Sequence, residues 1–127
     1  SGNTFALGHA AMLVNEGLPD FVVRGMEREH DLSSKTIGIL GMAFKGESDD
    51  TRASLSYKLK RLLQFRARAV VTTDPYVAAD PELHELDYVL AVSDILVIGA
   101  PHRAYGDLVT DKPVVDVWGL TAPSHVA

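Results

Sequence analysis

The chain has 127 residues, a formal net charge of −5 and no cysteine, and 46% of its residues are hydrophobic. This length predicts one domain with a buried core, and the acidic balance argues against a general surface for nucleic acid or for anionic membranes. The absence of cysteine excludes disulfides and zinc–thiolate sites, and no apolar run approaches the roughly 20 residues that span a membrane. We therefore expect a cytoplasmic protein with neither nucleic acid nor membrane as a partner.

Residues 5–30 predict helical structure. Apolar residues recur around Phe5, Met12 and Phe21, while Gly17 and Pro19 interrupt the pattern. Because proline kinks the interior of a helix, we expect one long bent helix or two abutting helices. One interpretation of this segment is an amphipathic helix that packs on the sheet of its own domain.

A strand, a long loop and a helix are predicted next. Thr36 to Leu40 is a short β-branched and aliphatic run, and Gly41 interrupts it. Ser54 can cap a helix that begins at Leu55 and continues for about eleven residues, since its leucines recur at helical spacing. The loop then lies at the carboxyl end of the first strand, where doubly wound α/β domains bind ligands.

The glycines beside this loop do not form a standard dinucleotide motif. That motif is G-x-G-x-x-G, whereas Gly38 and Gly41 have two residues between them and Phe44 stands where the last glycine would be. The ring of Phe44 would block the usual approach of a pyrophosphate, and Lys45 offers a positive charge for a phosphate instead. The loop is predicted to bind an anion, but not NAD in the standard manner.

Three further strands follow along the chain. They cover residues 69–73, 94–100 and 112–118, and the second of them is the most apolar and so is expected at the centre of the sheet. Right-handed crossovers predict the order 2-1-3-4, with a switch point between strands one and three. Lys45 and His102 should then face one crevice. The expected fold is a Rossmann-like, three-layer α/β domain with a four- to five-stranded parallel sheet.

Three polar or aromatic residues near the strand ends have two interpretations each. Asp74 ends the second strand, and a turn role is favoured over a contact with a ribose. His102 is as consistent with a structural role as with a ligand contact, and Trp118 could stack on a base or a sugar, although a core or interface position is favoured. No histidine spacing typical of a metal site occurs, so no metal is expected.

Several of these motifs together resemble the UDP-glucose/GDP-mannose dehydrogenase family, the nucleotide-sugar dehydrogenases. These enzymes oxidise UDP-glucose, UDP-N-acetylmannosamine or GDP-mannose to uronic acids. The resemblance is to the C-terminal, nucleotide-sugar-binding domain. The motifs that carry it are Gly38-Ile-Leu-Gly-Met-Ala-Phe-Lys45, Asp49-Asp50-Thr-Arg52-Ala-Ser54, Asp74-Pro75-Tyr76, Pro101-His102 and Val114-Val115-Asp116.

The resemblance implies roles for individual residues. Phe44 and Lys45 would bind the nucleotide sugar, with a UDP-sugar as the commoner case, and Arg52 would contact NAD that is held mainly by an upstream domain. From the residues alone, Lys45 can also be an ordinary exposed lysine, and Arg52 can pair with Asp49 or Asp50 to shape the loop. No catalytic residue is expected in this chain, because the catalytic cysteine of the resembled family lies upstream.

The resemblance also implies a division of the chain. Residues 1–30 would be the end of a central helix that carries a homodimer contact, and residues 31–127 would be the nucleotide-sugar-binding domain. The chain would then be part of an NAD-dependent enzyme of polysaccharide biosynthesis and would not catalyse alone. Two other functions stay open: a stand-alone regulatory module that binds a nucleotide or coenzyme A, and a structural dimerisation domain.

Overall fold

A computed structural model of the chain describes residues 17–43, 47, 49, 51 and 54–120. Phe44, Lys45 and Arg52 lie outside these residues, as do residues 1–16, which contain the first part of the predicted N-terminal helix. In chain order the elements are helix α1 (Leu18–Glu29), 3-10 helix η1 (Leu32–Ser34), strand β1 (Thr36–Leu40), helix α2 (Leu55–Arg66), strand β2 (Ala69–Thr73), helix α3 (Leu86–Val92), strand β3 (Ile95–Ile98), 3-10 helix η2 (Arg103–Asp107) and strand β4 (Val114–Asp116).

The four strands form one parallel sheet in the order β2-β1-β3-β4, as predicted. Leu40 at the end of β1 pairs with Thr73 at the end of β2 and with Ile98 at the end of β3. The carboxyl ends of these three strands are therefore level. The segments that follow them all begin at one edge of the sheet, which we call the carboxyl edge.

Two apolar clusters fill the space on either side of the sheet. Buried side chains of β1 and β3 contribute to both clusters, because these central strands are covered on both faces and consist mainly of aliphatic residues. One cluster contains side chains of α1 and α2, and the other contains side chains of α3 and η2. This arrangement is the predicted three-layer, Rossmann-like fold, and its parallel sheet has four strands among the described residues.

Helix α1 packs its apolar face on this domain. Leu18, Val22 and Met26 are buried at intervals of four residues, so they line one face of the helix. Near its end, Glu27 accepts a hydrogen bond from Arg66 of α2 at 3.0 Å. None of the helices in the described part of the chain is long and apolar enough to cross a membrane.

Helix α2 begins at a serine cap that also ties it to β1. The Ser54 hydroxyl oxygen accepts a hydrogen bond from the backbone N–H of Ser56 at 3.0 Å, which confirms the predicted cap. The same hydroxyl donates to the carbonyl of Met42 at 2.9 Å, and the hydroxyl of Ser56 donates to the carbonyl of Gly41 at 2.6 Å. Both serines thus hold the start of the loop after β1 against the start of α2.

The last strand is shorter than the sequence indicates. It covers Val114–Asp116, and the chain then turns, because Asp116 accepts the backbone N–H of Leu120 at 2.9 Å and Gly119 has a φ of 76°. The predicted strand over residues 94–100 is likewise confined to β3. Asp94 lies before that strand, where its carboxylate accepts the backbone N–H of Thr36 at 2.8 Å.

Candidate functional site

A buried carboxylate–imidazole pair lies at the carboxyl edge of the sheet. Asp74 follows β2 and His102 follows β3, and the side chains meet with Oδ2 and Nε2 2.9 Å apart. Because β1 lies between these two strands, the pair spans the end of β1. Asp74 is 5% exposed and His102 is 1% exposed, so the pair interacts away from water.

Asp74 accepts hydrogen bonds from the backbone at the beginning of the loop. The N–H groups of Met42 and Ala43 donate to its Oδ2 at 2.6 and 3.1 Å, and the N–H of Tyr76 donates to its Oδ1 at 2.8 Å. In a standard dinucleotide fold, N–H groups after the first strand bind the pyrophosphate. Here an internal carboxylate occupies two of them. These two N–H groups are therefore already paired within the protein.

The Asp74 carboxyl group is held in its ionised form. Burial by itself would raise its pKa, but hydrogen bonds from His102 and from the N–H groups of Tyr76 and Met42 outweigh this effect and lower the pKa below its ordinary value of 3.8. The charge is therefore available at neutral pH to organise the donors around it.

The contacts of His102 define its tautomer. Its Nδ1 accepts a hydrogen bond from the backbone N–H of Glu47 at 2.8 Å, so this nitrogen carries no proton. The proton is assigned to Nε2, which faces the Asp74 carboxylate. The ring also contacts two tyrosines, with centroids 4.6 Å from Tyr76 and 5.5 Å from Tyr105. His102 is thus a neutral imidazole with protein partners at both nitrogens.

Glu47 connects the loop to the segment after β3. It has a φ of 47°, in the left-handed region that few non-glycine residues adopt. Its carboxylate accepts the backbone N–H of Arg103 at 2.6 Å and lies 3.2 Å from the Arg103 Nε. Together with the bond to His102, these contacts fix residue 47 to the carboxyl edge.

Trp118 lies beside the end of β3. Its indole Nε1 donates to the carbonyl of Gly99 at 3.1 Å, and the half-buried ring packs against both apolar clusters. The structure therefore places the two described candidates, His102 and Trp118, after neighbouring strands β3 and β4.

Two residues of this site were not recognised as such from the sequence. The turn predicted at Asp74 is present, since its Oδ1 accepts the backbone N–H of Tyr76 at 2.8 Å, but that prediction does not include its bonds to His102 and to the loop. The predicted strand order nevertheless places an acidic residue and His102 on either side of the end of β1. That combination was a usable signal. No sequence signal marked Glu47, because its role depends on a backbone conformation and on contacts with His102 and Arg103, which lie 55 and 56 positions further along the chain.

An open cleft of about 290 Å³ lies at the start of α2. It is lined by Thr51, Ser54, Tyr57, Lys58 and Arg61. Burial, together with the hydrogen bond to Asp80, raises the pKa of Tyr57, so its hydroxyl stays protonated and donates to Asp80 at 2.6 Å.

Within the described ranges, no group of three or more histidine or acidic side chains is placed to hold a metal ion.

The fold and site together define a class of protein. The chain forms a Rossmann-like α/β domain whose first loop lies at the switch point between β1 and β3, the usual ligand-binding position in such folds. Residues 38–123 match the UDP-glucose/GDP-mannose dehydrogenase family, UDP binding domain. The chain belongs to this family.

Named relatives agree with the assignment. The chain is 32% identical over 106 residues to UDP-N-acetyl-D-mannosamine dehydrogenase of Pyrococcus horikoshii, a match that covers 80% of this chain and 25% of the relative. It is also 32% identical over 89 residues to UDP-glucose 6-dehydrogenase AglM of Haloferax volcanii, a match that covers 68% of this chain and 21% of that relative. The chain thus spans about a quarter of the length of these relatives.

Solved structures show the same fold. NDP-N-acetyl-D-galactosaminuronic acid dehydrogenase from Methanosarcina mazei superposes with a TM-score of 0.74 at 27% identity, over 91% of this chain and 28% of the other. A ternary complex of GDP-mannose dehydrogenase from Pseudomonas aeruginosa superposes with a TM-score of 0.68 at 25% identity, over 86% of this chain and 30% of the other.

The lowered pKa of Asp74 predicts loss of stability in acid. Because the pKa is lower in the folded state, the stabilisation is present above the ordinary value of 3.8 and is lost as the pH falls through the folded-state value. Asp80 and Asp94, whose pKa values are also lowered, contribute with the same sign. Urea unfolding between pH 7 and pH 3 should show falling stability below about pH 4 to 5, and Asp74→Asn should reduce this dependence without abolishing it. An equally steep dependence in that variant would contradict the assignment.

Proposed function

We propose that this chain is the C-terminal, nucleotide-sugar-binding domain of an NAD-dependent nucleotide-sugar dehydrogenase. The observation that carries the proposal is the match of residues 38–123 to the UDP binding domain of that family. The complete enzyme would oxidise a UDP-hexose or a UDP-N-acetylhexosamine to the uronic acid. In that reaction the –CH2OH carbon would lose two hydrides, one to each of two NAD+ molecules, three protons would be released, and water would supply the second carboxylate oxygen.

In this proposal the loop after β1 supplies the substrate contacts. Lys45 neutralises charge on the diphosphate of the nucleotide sugar, and Phe44 shapes the adjacent pocket. Arg52 reaches towards NAD, which is held mainly by a domain outside this chain. Support comes from the described neighbours of the loop, because Ala43 and Glu47 are both fixed at the carboxyl edge of the sheet. Trp118, half-buried at the same edge, borders the pocket.

The remaining assignments concern the whole enzyme. We assign residues 1–30 to the link between this domain and an upstream half, and to a homodimer contact. The catalytic cysteine and the main NAD site belong to that upstream half, so the domain does not catalyse alone. The enzyme works in the cytoplasm and supplies uronic acid precursors for polysaccharide.

Titration of UDP by calorimetry tests the loop assignment. Lys45→Ala should weaken UDP binding about tenfold, or about 1.4 kcal/mol, because one cation is removed from the diphosphate site. The measurement is made on the 127-residue chain and on the complete polypeptide that contains it. Lys35→Ala is the matched control: Lys35 precedes β1 and so lies at the opposite edge of the sheet, and its loss should leave affinity unchanged.

The other outcomes separate the alternatives. UDP binding that is equally tight in the Lys45→Ala variant would show that the site assignment is wrong. Binding of coenzyme A or NAD to the chain without UDP binding would favour a regulatory module. A chain that dimerises at low concentration while the complete polypeptide binds no nucleotide would favour a dimerisation domain.

A further inference from the structure

The geometry points to Asp74 and His102 as positioning residues that together hold both ends of the segment carrying Phe44 and Lys45. We call this arrangement the Asp74–His102 clamp. The inference rests on the proposed function, because it assigns the clamp to the substrate-binding loop. It concerns residues that act through the loop and do not themselves touch the ligand.

The first end of the segment is held by Asp74. Ala43, the last described residue before the segment, donates its backbone N–H to Oδ2 at 3.1 Å, and the preceding Met42 donates to the same atom at 2.6 Å. Ala43 and Met42 are themselves buried, at 1% and 0% exposure. A charged acceptor in a buried site strengthens both bonds.

The second end is held by His102. Glu47, the first described residue after the segment, donates its backbone N–H to the Nδ1 of His102 at 2.8 Å. Its carboxylate accepts the backbone N–H of Arg103 at 2.6 Å, so the same residue is held on two sides. Since His102 and Asp74 are bonded to each other at 2.9 Å, one buried pair fixes both ends of a three-residue segment.

This arrangement reduces the conformational entropy that the segment loses when a ligand binds to it. A loop with fixed ends samples fewer conformations than a free one, so less conformational entropy is lost when an anion binds to it. The clamp works only if His102 offers a donor to Asp74 and an acceptor to Glu47 at the same time. The neutral tautomer with its proton on Nε2 meets both requirements.

Steady-state kinetics of the complete enzyme with its nucleotide sugar tests the inference. His102→Leu removes both contacts and should raise KM for the nucleotide sugar about 10- to 100-fold, since small misplacements of a binding group carry costs of this size. Because the clamp positions a binding group and not the reacting atoms, kcat should change less than KM. His102→Asn should restore only part of the lost affinity, since its side-chain oxygen can take the position of Nδ1 opposite the Glu47 N–H, but its amide places no donor at the position of Nε2.

A matched control separates positioning from general destabilisation. Val23→Ala truncates a fully buried side chain of α1, in the apolar cluster that does not contain Tyr105, the ring neighbour of His102. It should lower the unfolding temperature without raising KM. If Val23→Ala and His102→Leu raise KM equally, or if folded His102→Leu enzyme keeps the wild-type KM, the clamp is refuted.

Amide hydrogen exchange on the 127-residue chain gives a readout that does not depend on activity. In His102→Leu the Glu47 amide should exchange at least tenfold faster, while the amides of β3, which lie in the sheet, should keep their protection. Unchanged exchange at Glu47 would overturn the clamp. A wild-type enzyme that oxidises no nucleotide sugar, with the exchange result as expected, would overturn the proposed function and the clamp's role in substrate binding, while the hydrogen bonds that hold the two ends of the segment would stand.

Discussion

Replacing Asp74 with alanine should lower the free energy of unfolding by about 3–5 kcal/mol, because several hydrogen-bond donors lose a buried, charged acceptor and each donor left unsatisfied costs about 1–3 kcal/mol. The backbone N–H groups of Met42, Ala43 and Tyr76 would lose their acceptor, as would His102. Each donor would stay buried or would need water to enter the site. Urea unfolding at pH 7, followed by circular dichroism, measures the loss.

Asp94→Ala is the appropriate comparison for this prediction. In the wild-type chain the Asp94 carboxylate also accepts a backbone N–H, from Thr36 at 2.8 Å. The Asp94 side chain is 43% exposed, however, so water can replace the carboxylate as the acceptor. We expect a much smaller loss of stability in that variant. Equal losses in the two variants would mean that Asp74 does not organise the carboxyl edge.

Replacing Gly41 with alanine should cost about 2–5 kcal/mol, because backbone strain and overpacking act together at this position. Gly41 has a φ of 94°, and a Cβ would lie 2.8 Å from the Cβ of Ala100 and 2.9 Å from its backbone nitrogen. Since two of the contacting atoms belong to the backbone of Ala100, in the segment after β3, Ala100 cannot move aside without disturbing the carboxyl edge of the sheet. Thermal and urea unfolding of the variant measure this cost.

Gly106→Ala provides the matched control for the same substitution. A Cβ at Gly106 would lie 3.5 Å from its nearest neighbour, Leu120, which is an ordinary contact. The expected change in stability is about 1 kcal/mol or less. A Gly41→Ala variant as stable as this control would contradict the close approach of β1 and β3 at their carboxyl ends.

Local patterns were sufficient for most of the fold. The aliphatic runs of β1 and β3 and the alternation of strands with helices predicted a parallel sheet, and right-handed crossovers predicted its order. The serine cap at Ser54 was also predictable, because a cap depends on residues close in sequence. Strand ends were less predictable, since β4 ends where Asp116 forms a turn with Leu120 and not where its apolar run stops.

The order of the amino acids was enough to infer the fold class, the loop at the carboxyl edge and the Phe44-Lys45 motif that resembles a nucleotide-sugar site. How that loop is held depends on tertiary contacts. Asp74 and His102 are 28 residues apart, and Glu47 is 55 residues from His102. Contacts over such separations depend on strand register and side-chain direction, which no local pattern encodes. The bonds by which the Asp74 carboxylate joins His102 to the beginning of the loop therefore became visible only in three dimensions.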